Sequence, residues 1–253
     1  MADRLALVTG AAGAIGAAVA RRLAGDGYGV AACDVDGDRL AARVAELRSA
    51  GADAFAVQAD VGSSASVAAA FDFVAGRAGS PTILVHAAGT PGRFAYLSEL
   101  DDADWRSVMA THLDGFFHLL RAAAPAMRAA GFGRIVAIAS LAGLRGTVGS
   151  GAYAAAKAGM IGLAKTAAKE FGPWGVSVNA VAPGMVATPP NLALQARGSG
   201  FVASALARTP TAAMSSPQDI AELVAFLVSP AAANINGQVI AHDGGAGEVV
   251  AGV

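Results

Sequence analysis

Leu5-Ala6-Leu7-Val8-Thr9-Gly10-Ala11-Ala12-Gly13-Ala14-Ile15-Gly16 is the stretch that decides how this chain folds. Leu5 to Thr9 is short and apolar, as a strand buried on both faces must be. The glycines that follow make a turn, and the Ala-rich run to about Ala24 reads as a helix. A strand, a glycine turn and a helix start together build an anion site. Glycine lets the backbone approach a pyrophosphate, while free amides and the helix dipole face its charge. Gly10, Gly13, Ala14, Ile15 and Gly16 are therefore the candidate cradle. A tight turn needs glycine for its own sake, but the strand before and the helix after favour nucleotide binding.

Working outward, Tyr28 to Asp34 reads as the second strand. Asp34 falls about twenty residues past the glycine turn, where a carboxylate can accept hydrogen bonds from a ribose diol. It would repel a 2′-phosphate, and Asp36 adds to that field. No Arg or Lys lies in the glycine turn or directly after Asp34, so the pattern predicts NAD(H) over NADP(H). The alternative is that Asp34 only begins a turn or caps the next helix. Strand and helix signals keep alternating. Further strands are expected at Ala54–Val57, Thr82–His86, Arg134–Ala139, Val176–Val181 and Gln238–Ala241. One long helix should start at Asp101 or Asp102 and run through His112 and Phe117 to about Ala130. Ser216-Pro217-Gln218-Asp219 carries a helix-start signature. Such alternation implies a doubly wound α/β sheet of about seven parallel strands, with helices on both faces.

At 253 residues, one domain spanning 1–253 is expected rather than two. Charged residues make up only 15%, below the roughly 25% usual for soluble domains, and net charge is −1. With no basic stripe, nucleic acid and anionic membrane are poor partners. The single cysteine, Cys33, rules out an internal disulfide framework and a Cys-rich zinc site. No signal peptide or clean apolar span is visible, so a cytoplasmic location is expected.

The run Arg134 to Ala139 leads to Ser140, and thirteen residues later Tyr153-Ala154-Ala155-Ala156-Lys157 opens a helix. A separation of four puts Tyr153 and Lys157 on one helix face. An ammonium near a phenol favours the phenolate, which lowers the tyrosine pKa from about 10. A phenol tuned in that way can pass a proton to or from a substrate oxygen, and Ser140 could hold the same oxygen.

With these motifs together, the chain resembles the short-chain dehydrogenase/reductase family over nearly its whole length. Its Rossmann-type fold is the architecture the resemblance implies. Thr9, Gly10, Ala14 and Gly16 fall on the family's glycine pattern, with Ala14 replacing its middle glycine. The resemblance places Asp60 and Val61 beside adenine. It gives Ala87, Ala88 and Gly89 backbone contacts to the cofactor. It assigns Pro183, Gly184, Val186 and Thr188 to the nicotinamide carboxamide. It gives Lys157 a second task at the ribose, puts Tyr153 beside the nicotinamide, and implies NAD-dependent exchange between an alcohol and a ketone. A substrate lid at about 189–214 and a homotetramer built on the long fourth helix and the Tyr153 helix are implied as well. The usual Asn-Asn-Ala-Gly reads His86-Ala87-Ala88-Gly89, and the Asn expected in the fourth helix is His112. In the family that Asn supports a water reaching the lysine. His112 is either a modified member of that proton relay or a packing histidine.

His112 and His118 are six apart, which does not align two ligands, and His86 and His242 are isolated, so no metal is expected. The segment 189–211 offers Leu192, Leu194, Phe201, Val202 and Leu206. These residues either dock the lid or meet the substrate. Phe94, Leu141 and Met185 are further pocket candidates, and the small-molecule carbonyl/alcohol partner should be largely uncharged. Arg93 and Arg145 leave room for an acidic one. Two rival readings stay open: a 3-oxoacyl-thioester reductase and a catalytically silent NAD-binding protein.

Overall fold

The computed structural model describes residues 4–247; the ends of the expected domain, 1–3 and 248–253, lie outside the described residues. Seven strands form one parallel sheet in the order β3-β2-β1-β4-β5-β6-β7. They are β1 (Leu5–Thr9), β2 (Gly29–Asp34), β3 (Ala54–Gln58), β4 (Ile83–His86), β5 (Gly133–Ile138), β6 (Val176–Pro183) and β7 (Val239–His242). The expected fold is therefore the observed one. The order reverses between β1 and β4, and a crevice opens there at the carboxyl ends of the strands, as such sheets require.

Successive strand residues point to opposite faces, and two separate cores result. Leu5 and Leu7 join Phe116, Leu119, Met127 and Met160 on one side. That side is covered by α3 (Ser64–Ala78), α5 (Gly115–Ala130) and α7 (Gly151–Phe171). Ala6 and Val8 join Leu23, Leu40, Ile220 and Val224 on the other. There the cover is α1 (Ala14–Gly25), α2 (Gly37–Ser49) and α10 (Pro217–Val228). The start of α10 is the capping box that Ser216 and Asp219 announce.

The expected long fourth helix is continuous but not regular. It comprises α4 (Asp102–Met109), a π turn (Ala110–Asp114) and α5. The Asp101 side chain caps it by accepting from Asp104 N–H. The π turn contains His112 and stands over the reactive end of the sheet. Its neighbour Leu113 rests on Gly159 of α7, where a Cβ would come within 2.9 Å of the Leu113 side chain. Two short helices, α8 (Pro189–Ala196) and α9 (Gly200–Ala207), occupy the segment expected to be a lid.

Candidate active site

The glycine turn folds back on itself before α1. Gly10 has φ +69°, and a Cβ there would lie 2.6 Å from the Ala87–Ala88 peptide. A Cβ on Gly16 would collide with the Gly10 carbonyl. These two glycines are thus demanded by the protein's own packing. Gly13 differs: a Cβ would meet only the Gly10 carbonyl oxygen, at 3.2 Å, and Gly13 faces the crevice. Ala14, Ile15 and Gly16 form the first turn of α1, whose amides have no carbonyl one turn back. The Ala14 methyl is accommodated without disturbing the turn.

A cavity of about 310 Å³ opens beside this turn. Gly10, Gly13, Asp34, Asp60, Val61, Ala87, Ala88 and Gly89 all line it, so residues from four separate strand ends converge there. Asp34 is held rigidly, accepting from Ala12 N–H at 3.0 Å and from Asp36 N–H at 3.1 Å. It does not cap α2; Asp36 does. Volume, free amides and a fixed carboxylate suit the adenosine diphosphate half of a nicotinamide dinucleotide. Sequence reasoning missed Arg39, which reaches the same cavity from α2 and donates to Ala12 O at 3.2 Å. Its signal was position alone: one helical turn past Asp36, on the face turned towards the glycine turn.

Ser140, Tyr153 and Lys157 come together at the end of β5. α6 (Ala142–Arg145) follows Ser140 and lies against α7. Gly143 permits this approach, since a Cβ there would be 2.8 Å from the Lys157 backbone. Ser140 Oγ accepts from Ala142 N–H at 3.1 Å, which fixes the hydroxyl. Lys157 is buried and donates from Nζ to Ile138 O at 2.6 Å. Its Nζ stands 5.6 Å from the centre of the Tyr153 ring. The helix begins at Gly151, two residues before Tyr153.

The electrostatics differ from the sequence expectation in one respect. Burial pushes the Tyr153 phenol up, and a hydrogen bond with Ser140 only partly offsets it. Burial also pulls Lys157 down to about 7. Spacing brought phenol and ammonium together, but burial, complete for Lys157 and partial for Tyr153, sets the direction of both shifts.

His112 is buried at the site. Its ring meets Tyr153 edge-on, with centroids 5.2 Å apart and planes at 87°. Burial and the Lys157 charge hold its pKa down to about 3. Burial and the same charge, with a further contribution from His112, put His86 also at about 3. Both imidazoles are therefore neutral at working pH. Pro183, Gly184, Val186 and Thr188 follow one another at the carboxyl end of β6, outside the lining of the cavity beside the glycine turn. Gly184 donates its N–H to His242 O at 3.0 Å, and Val186 bridges Ser215. Thr188 precedes α8 with no side-chain cap bond. Of the other candidates, Leu141 is buried, while Phe94 is exposed and covers Gly149. Arg93 is engaged by Asp104 at 3.2 Å, and Arg145 donates to Ala246 O. Burial drives the Cys33 thiol up to about 12, so it is inert. Among the described residues, no group of three or more His, Cys, Asp or Glu could hold a metal, and no helix is long and apolar enough to cross a membrane.

A phosphate-cradling crevice beside a Ser/Tyr/Lys cluster is the signature of one enzyme class. Comparison agrees: a family model described as enoyl-(acyl carrier protein) reductase matches residues 10–247. The chain belongs to the short-chain dehydrogenase/reductase family, and is an oxidoreductase acting on the CH–OH/carbonyl couple with a nicotinamide cofactor. It is 43% identical over 245 residues to a cis-4-hydroxycyclohexanecarboxylate dehydrogenase of Sinomonas cyclohexanicum, covering 96% of each chain. It is 38% identical over 241 residues to a 3-oxoacyl-[acyl-carrier-protein] reductase of Staphylococcus aureus, covering 95% of this chain and 96% of the other. Among solved structures, an actinorhodin polyketide ketoreductase variant with NADPH superposes with a TM-score of 0.91 at 36% identity, covering 98% of each chain.

Proposed function

We propose that the protein is an NAD(H)-dependent dehydrogenase/reductase interconverting a secondary alcohol and a ketone, with Tyr153 as the acid/base. The observation carrying this reading is the convergence of Ser140, Tyr153 and Lys157 at the end of β5, beside the dinucleotide crevice. The cofactor, when bound, supplies or accepts the hydride. Everything else falls to the chain. In reduction, the Tyr153 hydroxyl gives its proton to the carbonyl oxygen; in oxidation, the phenolate takes the hydroxyl proton. Ser140, its hydroxyl fixed through Ala142, hydrogen-bonds that oxygen and steadies developing charge. Lys157 favours the phenolate whenever its own ammonium is charged, and it holds the ribose.

The rigid carboxylate of Asp34 supports NAD(H) over NADP(H). Arg39 at the same rim has a guanidinium N–H committed to Ala12 O, so it offers incomplete compensation for a 2′-phosphate. The carboxamide is assigned to Pro183, Gly184, Val186 and Thr188. A largely uncharged substrate is supported by the engagement of Arg93 and by exposed apolar Phe94 and Leu97, which pack over Gly149 and Gly151 just before Tyr153. The similarity to an acyl-carrier reductase favours a second reading, reduction of 3-oxoacyl thioesters. Turnover on cyclic secondary alcohols, their ketones and acyl thioesters, each with NAD(H) and NADP(H), separates the two. Tyr153→Phe should abolish turnover and leave NADH affinity near the parent value; substantial residual turnover refutes the assignment. A homotetramer is part of the proposal, supported by the exposed small residues Ala158 and Gly162 on α7 and exposed Phe117 on α5. Sedimentation velocity tests it.

A further inference from the structure

His242 is isolated in the sequence but not in the fold. It ends β7, opposite Pro183 at the end of β6. Its carbonyl accepts from Gly184 N–H at 3.0 Å. The two strand ends are pressed together there: a Cβ on Gly184 would lie 2.9 Å from Asp243 Cα. The His242 ring reaches a further element, with Nδ1 at 3.0 Å from Ser215 Oγ. Ser215 directly precedes Ser216, the cap of α10. A hydroxyl donates to a bare ring nitrogen and accepts from a protonated one. The pair is therefore kept in either charge state of the imidazole.

Ser215 in turn holds the segment that leaves β6. Its N–H donates to Met185 O at 3.0 Å, and its carbonyl accepts from Ala187 N–H at 2.8 Å. These two bonds form an isolated bridge between Val186 and Ser215, outside the named strands. Val186 O accepts from Asn191 Nδ2 at 2.8 Å. Residues 184–187 are thus fixed by the main chain of His242 at one end and, through Ser215, by its side chain. Among the described residues, Val186 N–H donates to no backbone carbonyl, and the Thr188 hydroxyl caps no helix amide. An amide hydrogen and a hydroxyl left unspent side by side suit a ligand that both accepts and donates, as a carboxamide does.

We propose that His242 is a positioning residue for the nicotinamide half of the cofactor. Its ring bonds Ser215, Ser215 sets the peptides of 185–187, and those peptides present Val186 N–H and the Thr188 hydroxyl to the carboxamide. His242 lies on the same face as Ile240, two residues back, which packs with α10. Its action therefore comes from the face opposite α7 and takes no part in the proton transfer. This inference rests on the proposed function in one respect, the assignment of the carboxamide to this segment.

ADP-ribose, which lacks the nicotinamide, separates this role from a general structural one. In calorimetric titrations, His242→Leu should weaken NADH binding about five-fold and leave ADP-ribose binding at the parent value. His242→Asn, whose amide group falls where Nδ1 stands, should restore NADH affinity to within about two-fold of the parent. Ser215→Ala should reproduce the loss, and His242→Leu/Ser215→Ala should bind NADH no more weakly than either single variant. Unchanged NADH affinity in both single variants overturns the proposal, as does an equal loss for both ligands. Additive losses overturn the route through Ser215. Should His242→Leu not fold, Ser215→Ala, which removes one oxygen, takes its place. If Thr188→Val leaves NADH binding unchanged while His242→Leu weakens it selectively, the Thr188 contact fails and the positioning role stands. Every readout is binding, so a parent that turns over no alcohol or ketone defeats the proposed function alone.

Discussion

Lowering the pH from 7 to 5 should cost this protein much of its stability through two imidazoles. His86 and His112 are both buried, and both are held at about 3, against 6.5 when exposed. Their folded pKa values lie below the unfolded ones, so the unfolded chain takes up these protons first. Stability is therefore full above about 6.5, falls as the pH drops, and stops falling near 3. Each group contributes about 1.4 kcal/mol per pH unit within that window. At pH 5, about 1.5 units into it, each has removed about 2 kcal/mol, or about 4 kcal/mol together. That is a large share of the roughly 5–15 kcal/mol by which domains are stable. Lys157 does not interfere. Its folded value of about 7 against 10.5 places its effect above neutrality, where stability rises as the pH is raised from 7. Urea unfolding followed by tryptophan fluorescence at pH 7 and pH 5 gives the difference. His86→Asn/His112→Asn should flatten it by about the full 4 kcal/mol. A parent that loses less than about 1 kcal/mol between those pH values would refute the claim that both imidazoles are buried neutral.

Four further outcomes follow from the geometry. Gly76 lies within α3 with open space where a Cβ would stand, so Gly76→Ala should raise stability by up to about 1 kcal/mol in thermal or urea unfolding. Gly16→Ala puts a methyl against the Gly10 carbonyl and should cost about 1–3 kcal/mol, with loss of NADH binding by fluorescence titration. Asp34→Ala removes a charged acceptor at the cavity and should weaken NADH binding about ten-fold or more. It should leave NADPH binding equal or better, and calorimetry on both cofactors decides. Ser216→Ala removes the cap of α10 and should cost about 1 kcal/mol in urea unfolding, with no change in cofactor affinity.

Most of the fold was legible in the sequence because its signals are local. A strand buried on both faces is mostly an apolar run, so Leu5–Thr9 declared itself, while Val176–Val181 did so by its branched residues despite Ser177 and Asn179. Caps are set by one or two side chains, so Asp101 and Ser216 marked the starts of their helices. The π turn was not legible. Nothing in Ala110-Thr111-His112-Leu113-Asp114 breaks a helical pattern. The widening is accompanied by the His86 side chain on the His112 carbonyl and by the fit of Leu113 over Gly159, contacts made across the fold.

The sequence by itself determined which side chains face each other one helical turn apart, and which acid ends the second strand, because backbone periodicity fixes both. Only the tertiary structure decided what those groups do electrostatically. Spacing brought Lys157 to Tyr153, but the depth at which both are buried raises the phenol and lowers the amine. Burial depends on how α6 and the π turn close over α7, and no local pattern encodes that. The same holds for His86 and His112: twenty-six residues apart in the chain, they are hydrogen-bonded because the sheet order sets β4 beneath the π turn.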